Sequence, residues 1–353
     1  MPSSRKAYSM MVKRGMNERR AGEPIVCFDL ADLAIDAVGG RYYCSFVRDV
    51  IDAGYFPVFV AWRGTLTTFK TSRFKSRVVN ERLGVARSPD EIKEPFILIT
   101  DRDRKPPANA TRVVRMCYER RLCRSPEEIA FPVFVHPRLA DKLTNASPAD
   151  LDAKRKVRMF FGGRTSEGAY DKGVMHTVYH VLSRRKMLDV ACSRLPDADI
   201  LKPLNAVAWL DSNDSYRLVI FETQFQTIPH DRWLEALAKT DFFLACPGVD
   251  MPACHNLIES MATSAIPILQ YAEYLTPPLQ DGVNCLTFHD EESLLQVVDR
   301  ALNMGDDEIC MLRRNVKQHY DEYMANGKFA KRLFSGPHTR RTLLLNEYRV
   351  PRT

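Results

Sequence analysis

The sequence predicts an α/β fold with largely parallel sheets, divided into two domains and a tail. Strand and helix signals alternate along the chain, which is typical of parallel sheets covered by helices. The length of 353 residues suffices for two domains of ordinary size, and the composition is that of a soluble globular protein. A short polar segment at residues 145–152 is the expected linker. We therefore expect domains at residues 1–150 and 151–330, followed by a tail at 331–353.

The first predicted domain opens with a βαβ unit. Apolar runs at residues 25–30 and 57–62 predict two strands. Between them, Gly39 and Gly40 form a predicted loop before a helix that ends near Ile51. Glycines in such a loop let the backbone approach a ligand. Further strands are predicted at residues 96–100, 111–116 and 131–136.

The second predicted domain opens with a strand at residues 157–164. A polar loop follows, and Lys172 and Gly173 precede a predicted helix over residues 175–181. Short apolar runs are the usual signal of additional strands or edge elements. Two such runs lie at residues 207–210 and 218–221.

The most informative stretch lies near the end of this domain. Residues 242–248 predict a buried strand and a Pro-Gly loop, a helix starts near Ala253, and residues 266–269 predict the next buried strand. His255 and Glu259 are four residues apart and share one helical face. In α/β domains, ligands bind outside the carboxyl ends of the strands, where loop amides and helix N-termini converge. This polar pair is therefore placed to touch a ligand.

This stretch resembles the nucleotide-sugar-binding half of GT-B glycosyltransferases. The family pattern is a strand, a Pro-Gly or Pro-Ser loop, a helix that carries a glutamate, and a second strand. Three neighbouring segments match the family in the same order, namely the helix at residues 227–241, the Asp-Gly turn at 279–286 and the helix start at 290–295. Gly-Arg at 163–164 and Lys-Gly at 172–173 resemble the opening of the same domain. The resemblance is closest to exostosin-like transferases.

The resemblance implies the GT-B architecture, in which two Rossmann-like domains face a central cleft. The N-terminal domain would bind the acceptor, a glycan or glycolipid, with Gly39 and Gly40 in a loop on the acceptor side. The C-terminal domain would bind a UDP- or GDP-sugar as substrate, with no tightly bound cofactor. A last helix, predicted at residues 308–323, leads into the tail, which in the family commonly crosses back to the N-terminal domain.

The resemblance also implies a site for the nucleotide sugar. Glu259 would accept hydrogen bonds from the ribose hydroxyls, a task suited to a carboxylate. Arg164 and Lys172 would neutralise the diphosphate, because glycosyl transfer builds negative charge on that leaving group. The expected set is completed by Gly248, Asp250, His255 and Asn256. An ordinary strand-to-helix turn with solvated polar side chains is the alternative for these positions.

The stereochemistry and the catalytic base depend on weaker patterns. Retaining GT-B families often carry a second glutamate eight residues before the ribose glutamate, and Met251 occupies that position here. This favours an inverting enzyme, which needs a general base to deprotonate the acceptor hydroxyl. No single residue stands out for that role. The candidates in the first domain are Asp29, Asp32, Asp36, Asp101 and His136.

Two patterns raise the question of a metal. Asp101-Arg102-Asp103 has the form of the Asp-x-Asp motif that holds Mn²⁺ in GT-A transferases, and a charged turn is the alternative. His176 and His180 are four residues apart on a predicted helix, but they lack a third ligand and an adjacent glutamate. Because the other motifs belong to the GT-B fold, we expect a metal-independent enzyme.

Charge and cysteine usage indicate the compartment and the partners. The net charge of +7 would help to attract phosphate groups, while no basic helix with interleaved aromatics points to nucleic acid. Nine cysteines without a CxxC pair, and no apolar stretch of 18 residues, favour a reduced protein of the cytoplasm. Residues 1–20 are basic, which fits either a frayed tail or a peripheral membrane contact.

Three functions are compatible with the sequence. The first is glycosyl transfer from a nucleotide sugar to an acceptor. The second is a non-catalytic GT-B-like binding subunit of a glycan-assembly complex, which has kept the fold and lost the donor site. The third is another GT-B-fold enzyme, such as a nucleotide-sugar epimerase. Substitution of Glu259 separates the first two, and isomerisation of the sugar donor without an acceptor would identify the third.

Overall fold

The computed structural model describes residue 9 and residues 12–30, 37–60, 74–78, 80–144, 150–166 and 173–346. These residues form two compact units. Unit 1 combines the chain up to Pro137 with the chain from Met324 onward, and unit 2 comprises Arg138–Tyr323. The boundaries expected from the sequence, at residues 150 and 330, lie later in the chain than these two.

Each unit is built on a sheet whose described strands all pair in parallel. The strands of unit 1 that precede unit 2 are β1 (Ile25–Asp29), β2 (Phe56–Val60), β3 (Gly84–Ala86), β4 (Phe96–Thr100), β5 (Ala110–Cys117) and β6 (Glu128–Ala130). The strands of unit 2 are β7 (Val157–Gly163), β8 (Ile200–Leu201), β9 (Tyr216–Glu222), β10 (Thr240–Leu244), β11 (Ile266–Leu269) and β12 (Leu286–Thr287). The last strand, which returns to unit 1, is β13 (Arg340–Leu344).

The strand orders identify both sheets as doubly wound. The order is β3-β2-β1-β4-β5-β13-β6 in unit 1 and β12-β11-β10-β7-β9-β8 in unit 2. In each sheet the chain first builds one side of the starting strand and then the other, so the direction reverses between β1 and β4 and between β7 and β10. Ligands of doubly wound sheets bind at such a switch point, outside the carboxyl ends of the strands. The predicted α/β class with two Rossmann-like domains is confirmed.

The helices cover the sheets and vary widely in length. Those of unit 1 that precede unit 2 are α1 (Ala37–Asp52) and α2 (Lys75–Val78). Those of unit 2 are α3 (Ala140–Thr144), α4 (Val174–Tyr179), α5 (Arg184–Ser193), α6 (Ala206–Asp211), α7 (Trp233–Ala238), α8 (His255–Ala262), α9 (Glu291–Asn303) and α10 (Asp306–Tyr323). The helix α11 (Lys328–Phe334) follows in unit 1, and short 3₁₀ turns lie at Pro89–Glu91, Asp197–Asp199 and Ala272–Tyr274.

The central strands are buried on both faces, as parallel strands between two layers of helices must be. All five residues of β1, β4 and β10 are buried. In unit 1, Phe28 of β1 stacks on Phe59 of β2 at a centroid distance of 5.2 Å and meets Phe46 of α1 edge-on. In unit 2, Phe160 of β7 stacks on Trp209 at 5.8 Å. Each unit therefore has an aromatic core of its own beside its sheet.

The chain after Tyr323 completes unit 1. Phe329 of α11 packs on Phe46 of α1, and the buried carboxylate of Asp49 accepts hydrogen bonds from the backbone N–H groups of Gly327 (2.6 Å) and Ala330 (2.7 Å). These N–H groups belong to the N-terminal turn of α11, which lacks intrahelical partners for them. Asp49 thus caps α11 from another helix. Downstream, β13 inserts between β5 and β6.

Three local predictions were wrong, and one predicted helix start differs by only two residues. Gly39 and Gly40 lie in the first turn of α1 rather than in a loop before it, and Gly40 adopts a φ of 78° that its missing Cβ permits. Residues 207–210 lie in α6, because the Asn205 side chain caps that helix by accepting from two backbone N–H groups. Residues 131–136 continue past β6 without strand pairing, since Pro132 cannot donate to a ladder. The helix expected from Ala253 begins at His255.

Two global features bear on the predicted compartment. All nine cysteines are free thiols, and burial raises the pKa of Cys246 to about 12. Within the described residues, no helix combines the length and the apolar character that crossing a bilayer requires.

Candidate functional site

Two turns meet at the switch point of unit 2. The β7 turn, which we define as residues 162–166, and the β10 turn, residues 245–248, follow strands that pair in register. Because parallel strands end at the same sheet edge, the turns are neighbours. A Cβ added to Gly162 would lie 2.6 Å from the Trp233 ring, and one added to Gly248 would lie 2.5 Å from the Met251 carbonyl oxygen. Both positions therefore require glycine, because neighbouring atoms lie too close to the backbone for a Cβ.

A buried arginine that sequence inspection missed joins the two turns. Arg184, the first residue of α5, is 6% exposed and donates from Nη1 to the carbonyl of Arg164 and from Nη2 to the carbonyl of Pro247, both at 2.8 Å. Its guanidinium also lies over the Phe161 ring at 5.8 Å. Arg184 therefore fixes the spacing of the turns and places a positive charge beneath them. The signal in the sequence was its place next to Ser183, whose side chain caps α5.

The N-terminal turn of α8 adds a third component. Cys254 precedes the helix in an extended conformation, and the side chain of Asn256 donates to the carbonyl oxygen of Gly162 at 3.0 Å. His255 and Asn256 are both partly exposed. The first N–H groups of a helix have no intrahelical acceptor and carry a partial positive charge. Asn256 thus connects this end of α8 to the β7 turn.

Glu259 lies one turn further along α8 and is completely buried. Its carboxylate accepts a hydrogen bond of 2.6 Å from the indole Nε1 of Trp233, the first residue of α7. The same indole ring closes over Gly162. The sequence placed Glu259 correctly at this edge of the sheet but did not reveal Trp233 as its partner. In this arrangement the glutamate holds α7, α8 and the β7 turn together.

Other expected residues of the nucleotide-sugar site are distributed around the turns. The Arg164 side chain is exposed and donates to the hydroxyl of Ser166 at 2.8 Å. Asp250 accepts a hydrogen bond at its backbone oxygen from the hydroxyl of Tyr179, at 3.0 Å. Met251, which occupies the position of the second glutamate of retaining relatives, is buried in the protein interior. Lys172 lies outside the described residues.

A small polar cluster at the end of β9 was also missed. The backbone N–H of Thr165 donates to the side chain of Gln224 at 3.0 Å, and the Thr165 hydroxyl donates to the carboxylate of Glu222. Arg185 approaches the same carboxylate at 3.6 Å. This cluster fixes the far end of the β7 turn.

The switch point of unit 1 has a different chemistry. The carboxylate of Asp29, at the end of β1, is buried and receives hydrogen bonds from Arg102 (2.9 Å) and Arg104 (2.6 Å), which follow β4. Asp101 accepts from the hydroxyl of Tyr118 at 3.0 Å, and the ring of His136 is buried edge-on against Phe74. Asp32 and Asp36 lie outside the described residues.

The structure does not bring the residues of the two possible metal-binding motifs together as ligands. Within the described ranges no group of three or more His, Cys, Asp or Glu side chains is placed to hold an ion. Asp103 is fully exposed and lies 3.7 Å from Arg115, while Arg102 turns to Asp29. His180 ends α4 with a φ of 56°, so it no longer shares a helical face with His176. These residues form a charged turn and a helix end.

Comparisons with known proteins place the chain beside glycosyltransferases of known structure. No family model and no curated protein sequence matches it. A glycosyltransferase from Rickettsia africae ESF-5 is 11% identical, with a TM-score of 0.46 over 90% of this chain and 100% of that one. HepE from Anabaena, solved with UDP and glucose, is 11% identical, with a TM-score of 0.43 over 88% of this chain and 99% of that one. WaaG, a glycosyltransferase involved in lipopolysaccharide biosynthesis, is 13% identical, with a TM-score of 0.39 over 88% and 100% of the two chains.

Proposed function

We propose that this chain is a glycosyltransferase that transfers a sugar from a UDP- or GDP-sugar to a hydroxyl group of a glycan or glycolipid. One observation carries the proposal. At the switch point of unit 2, two glycine-containing turns, the N-terminal turn of α8 and the buried guanidinium of Arg184 converge. Helix amides and fixed positive charge are features that bind a diphosphate.

The diphosphate would lie against the β7 and β10 turns. The amides of the first turn of α8 would donate to its oxygens. Arg164 in the β7 turn and His255 at the start of α8 would contribute from two elements, and Asp250 lies in the segment between the β10 turn and α8. Lys172 would act beside Arg164. The positive charge of Arg184 would stabilise the diphosphate, while its guanidinium keeps the hydrogen bonds to the two carbonyls.

This arrangement supports transfer without a metal. The acceptor hydroxyl loses its proton to a base and its oxygen attacks the anomeric carbon, while the bond from that carbon to the diphosphate oxygen breaks. The electron pair of that bond leaves with the nucleoside diphosphate. Arg164 and Arg184 would stabilise the negative charge that develops there, which is the role a metal ion fills elsewhere.

We propose inversion at the anomeric carbon, because buried Met251 offers no carboxylate to the sugar. Among the candidates for the base, Asp101 and His136 are retained. Asp29 is the weakest, since its carboxylate is buried and each of its oxygens already accepts a hydrogen bond from an arginine. We place the reaction in the cytoplasm and propose that the basic residues 1–20 contact a membrane surface that carries the acceptor.

Glu259 remains the proposed ligand of the ribose hydroxyls. It lies on the helix that borders the turns, and the Trp233 indole fixes its orientation. Because the carboxylate is buried under that indole, the ribose can reach it only when Trp233 or the β7 turn moves. The proposal thus includes a rearrangement of Trp233 on binding.

The first experiment titrates the full chain with UDP, GDP, CMP and TDP, with and without Mn²⁺, by thermal shift and calorimetry. A ligand at a hundred times its Kd should add about 2.7 kcal/mol to the free energy of unfolding. We expect one nucleotide to bind irrespective of Mn²⁺, with weaker binding by Arg164→Gln. Arg194→Gln, which removes an exposed arginine just after α5, is the matched control. A strict requirement for Mn²⁺ would contradict the metal-independent mechanism.

A second experiment tests the ribose contact directly. Wild type and Glu259→Gln are titrated with the preferred nucleoside diphosphate and with its 2′-deoxy form. If Glu259 binds the ribose, the wild type discriminates between the two ligands and the variant does not. Equal loss of affinity for both ligands, together with a lowered Tm, would assign Glu259 a structural role only.

Burial of Glu259 favours one alternative, a non-catalytic binding subunit that has kept the fold. In that case the folded protein binds none of the four nucleotides, and the Glu259→Gln variant changes stability alone. Transfer of labelled sugar from the bound nucleotide sugar to any glycan acceptor would exclude it.

A further inference from the structure

The opposite edge of the unit 2 sheet contains a second polar cavity. It lies where β7, β9 and β10 begin and has a volume of about 230 Å³. The segment before β7, the start of β9 and the first turns of α10 surround it. The residues that line it are Asp152, Ala153, Lys154, Arg155, Lys156, Arg158, Ser215, Tyr216, Arg217, Asp241, Asp306, Ile309, Cys310 and Arg313.

The lining has an excess of positive charge. Six of these side chains are cationic and three are carboxylates. One carboxylate, Asp241, is buried and is already engaged, because it accepts from Arg313 and lies 3.1 Å from Arg158. A second, Asp306, is mostly exposed and lies 3.9 Å from Lys154 and 4.0 Å from Arg158. The carboxylates therefore do not balance the cations.

Arg313 still has an unused hydrogen-bond donor inside the cavity. It is 2% exposed, and its Nη1 donates to the carbonyls of Ala153 (2.8 Å) and Leu151 (3.3 Å) while Nη2 donates to Asp241. Its Nε is buried without a hydrogen-bond partner, whereas Nη1 of Arg158 has Asp241 at 3.1 Å. Leaving a buried charged donor unsatisfied costs free energy, so the Arg313 Nε is suited to an acceptor from a ligand.

A third guanidinium, that of Arg155, adds to the positive charge of the cavity lining. Arg155 donates to the carbonyls of Thr240 (2.5 Å) and Thr263 (2.9 Å), so its donors serve the protein itself. Burial, and next the positive charge of Arg313, lower the pKa of Arg155 to about 9. Protonated Arg155 would be stabilised by an anion in the cavity.

We propose that this cavity binds a phosphate group, either inorganic phosphate or the phosphate of a small soluble monoester. Guanidinium groups match phosphate oxygens in geometry and charge, and several converge here. Arg158 and Arg313 supply donors from inside the cavity, while Lys154 and Arg217 line its rim. The cavity has room for a phosphate and little more than a small organic group attached to it.

This site is distinct from the proposed nucleotide-sugar site. The two lie at opposite ends of the same strands, and the seven residues of β7 separate them by roughly 20 Å. One helix still reaches both places. The first turn of α8 borders the β7 turn, whereas the carbonyl of Thr263, at its other end, is held by Arg155.

The test uses the full chain and calorimetric titration with sodium phosphate and, separately, with glycerol 3-phosphate, at constant ionic strength. The rim variant Lys154→Gln/Arg217→Gln leaves the buried arginines in place, so it should fold. We expect saturable binding by wild type and about tenfold weaker binding by the rim variant, the loss of roughly one charged hydrogen bond. The tighter of the two ligands names the source of the phosphate.

Two controls decide the outcome. Arg194→Gln removes an arginine of similar exposure to Arg217 that also faces one aspartate, and it should bind phosphate like wild type. Arg164→Gln should weaken nucleotide binding and leave phosphate binding at the cavity unchanged. Absence of saturable phosphate binding, or equal affinity in wild type and the rim variant, would overturn the proposal even if the nucleotide site is confirmed.

Discussion

At both switch points of this protein the strand order reverses, but the chemistry is opposite. In unit 1, the point between β1 and β4 is filled by the chain itself, because Arg102 and Arg104 close over the buried carboxylate of Asp29. In unit 2, the point between β7 and β10 is bordered by glycine backbone, and the buried cation Arg184 donates to backbone carbonyls. Unit 1 satisfies its charges internally, whereas in unit 2 a buried cation and the first turn of α8 lie beside the turns. The same kind of switch point therefore differs in its side chains, and our proposal assigns the nucleotide to the one in unit 2.

The largest expected effect tests the cation of unit 2. Arg184→Met keeps side-chain bulk and leaves the carbonyls of Arg164 and Pro247 without their donor, each at about 2 kcal/mol. We expect the free energy of unfolding to fall by about 4 kcal/mol and nucleotide affinity to fall with it. Urea denaturation and calorimetry measure the two quantities. Arg194→Gln is the control, and unchanged stability in Arg184→Met would contradict the linking role of Arg184.

The matching change in unit 1 should act on stability alone. Asp29→Asn breaks two charged hydrogen bonds at a buried position. We expect the free energy of unfolding to fall by about 3 kcal/mol. This is near the lower end for buried ion pairs, because both guanidinium groups reach solvent. Nucleotide affinity of the folded variant should equal that of wild type. If the variant keeps its Tm and loses transferase activity, Asp29 is the catalytic base and the comparison fails.

The pH dependence of stability tests the buried carboxyl group of Asp49 in unit 1. Burial raises the pKa of Asp49 to about 7, although two backbone N–H groups oppose the shift. Since the folded pKa exceeds the unfolded value, the contribution to stability is complete below about pH 4 and is lost as the pH rises through 7. Between pH 5 and 7 the loss should be roughly 3 kcal/mol. Urea denaturation across this range should show the slope in wild type and a weaker one in Asp49→Asn.

The smallest expected effect concerns Glu259. Trp233→Phe keeps a ring over Gly162 and removes the indole N–H that Glu259 accepts, at a cost of about 2 kcal/mol. Trp209→Phe is the matched control, because Trp209 is buried in the same aromatic core. If ribose contact requires Trp233 to move, nucleotide affinity should fall less than stability does. Equal Tm values for the two variants would show that the indole N–H contributes nothing.

The sequence predicted the parts of the fold that depend on local pattern. Mostly apolar runs such as those within β1, β4 and β10 marked strands, because central parallel strands are buried on both faces. Predictions failed where one residue overrode the pattern. The Asn205 cap turned an apolar run into α6, and Pro132 prevented a strand after β6.

The site was predictable only in outline. Gly248, Asn256 and Glu259 were located because a loop and a helix follow a strand at fixed spacing. Arg184 and Trp233 come from other elements, and only the folded sheet brings them to the same edge. Conversely, Asp29 had the appearance of a catalytic carboxylate until the pairing of β1 with β4 placed two arginines beside it. Partners distant in sequence leave no spacing pattern to find.

The position of β13 has a consequence for synthesis of the chain. Unit 2 is one continuous stretch, so it can fold on the ribosome once Tyr323 has emerged. Unit 1 begins earlier but must wait for residues 340–344, because β13 joins β6 to the rest of its sheet. Until then β5 and β6 keep open edges, which are templates for pairing with other chains. The half of the protein that is translated first is therefore the half that matures last.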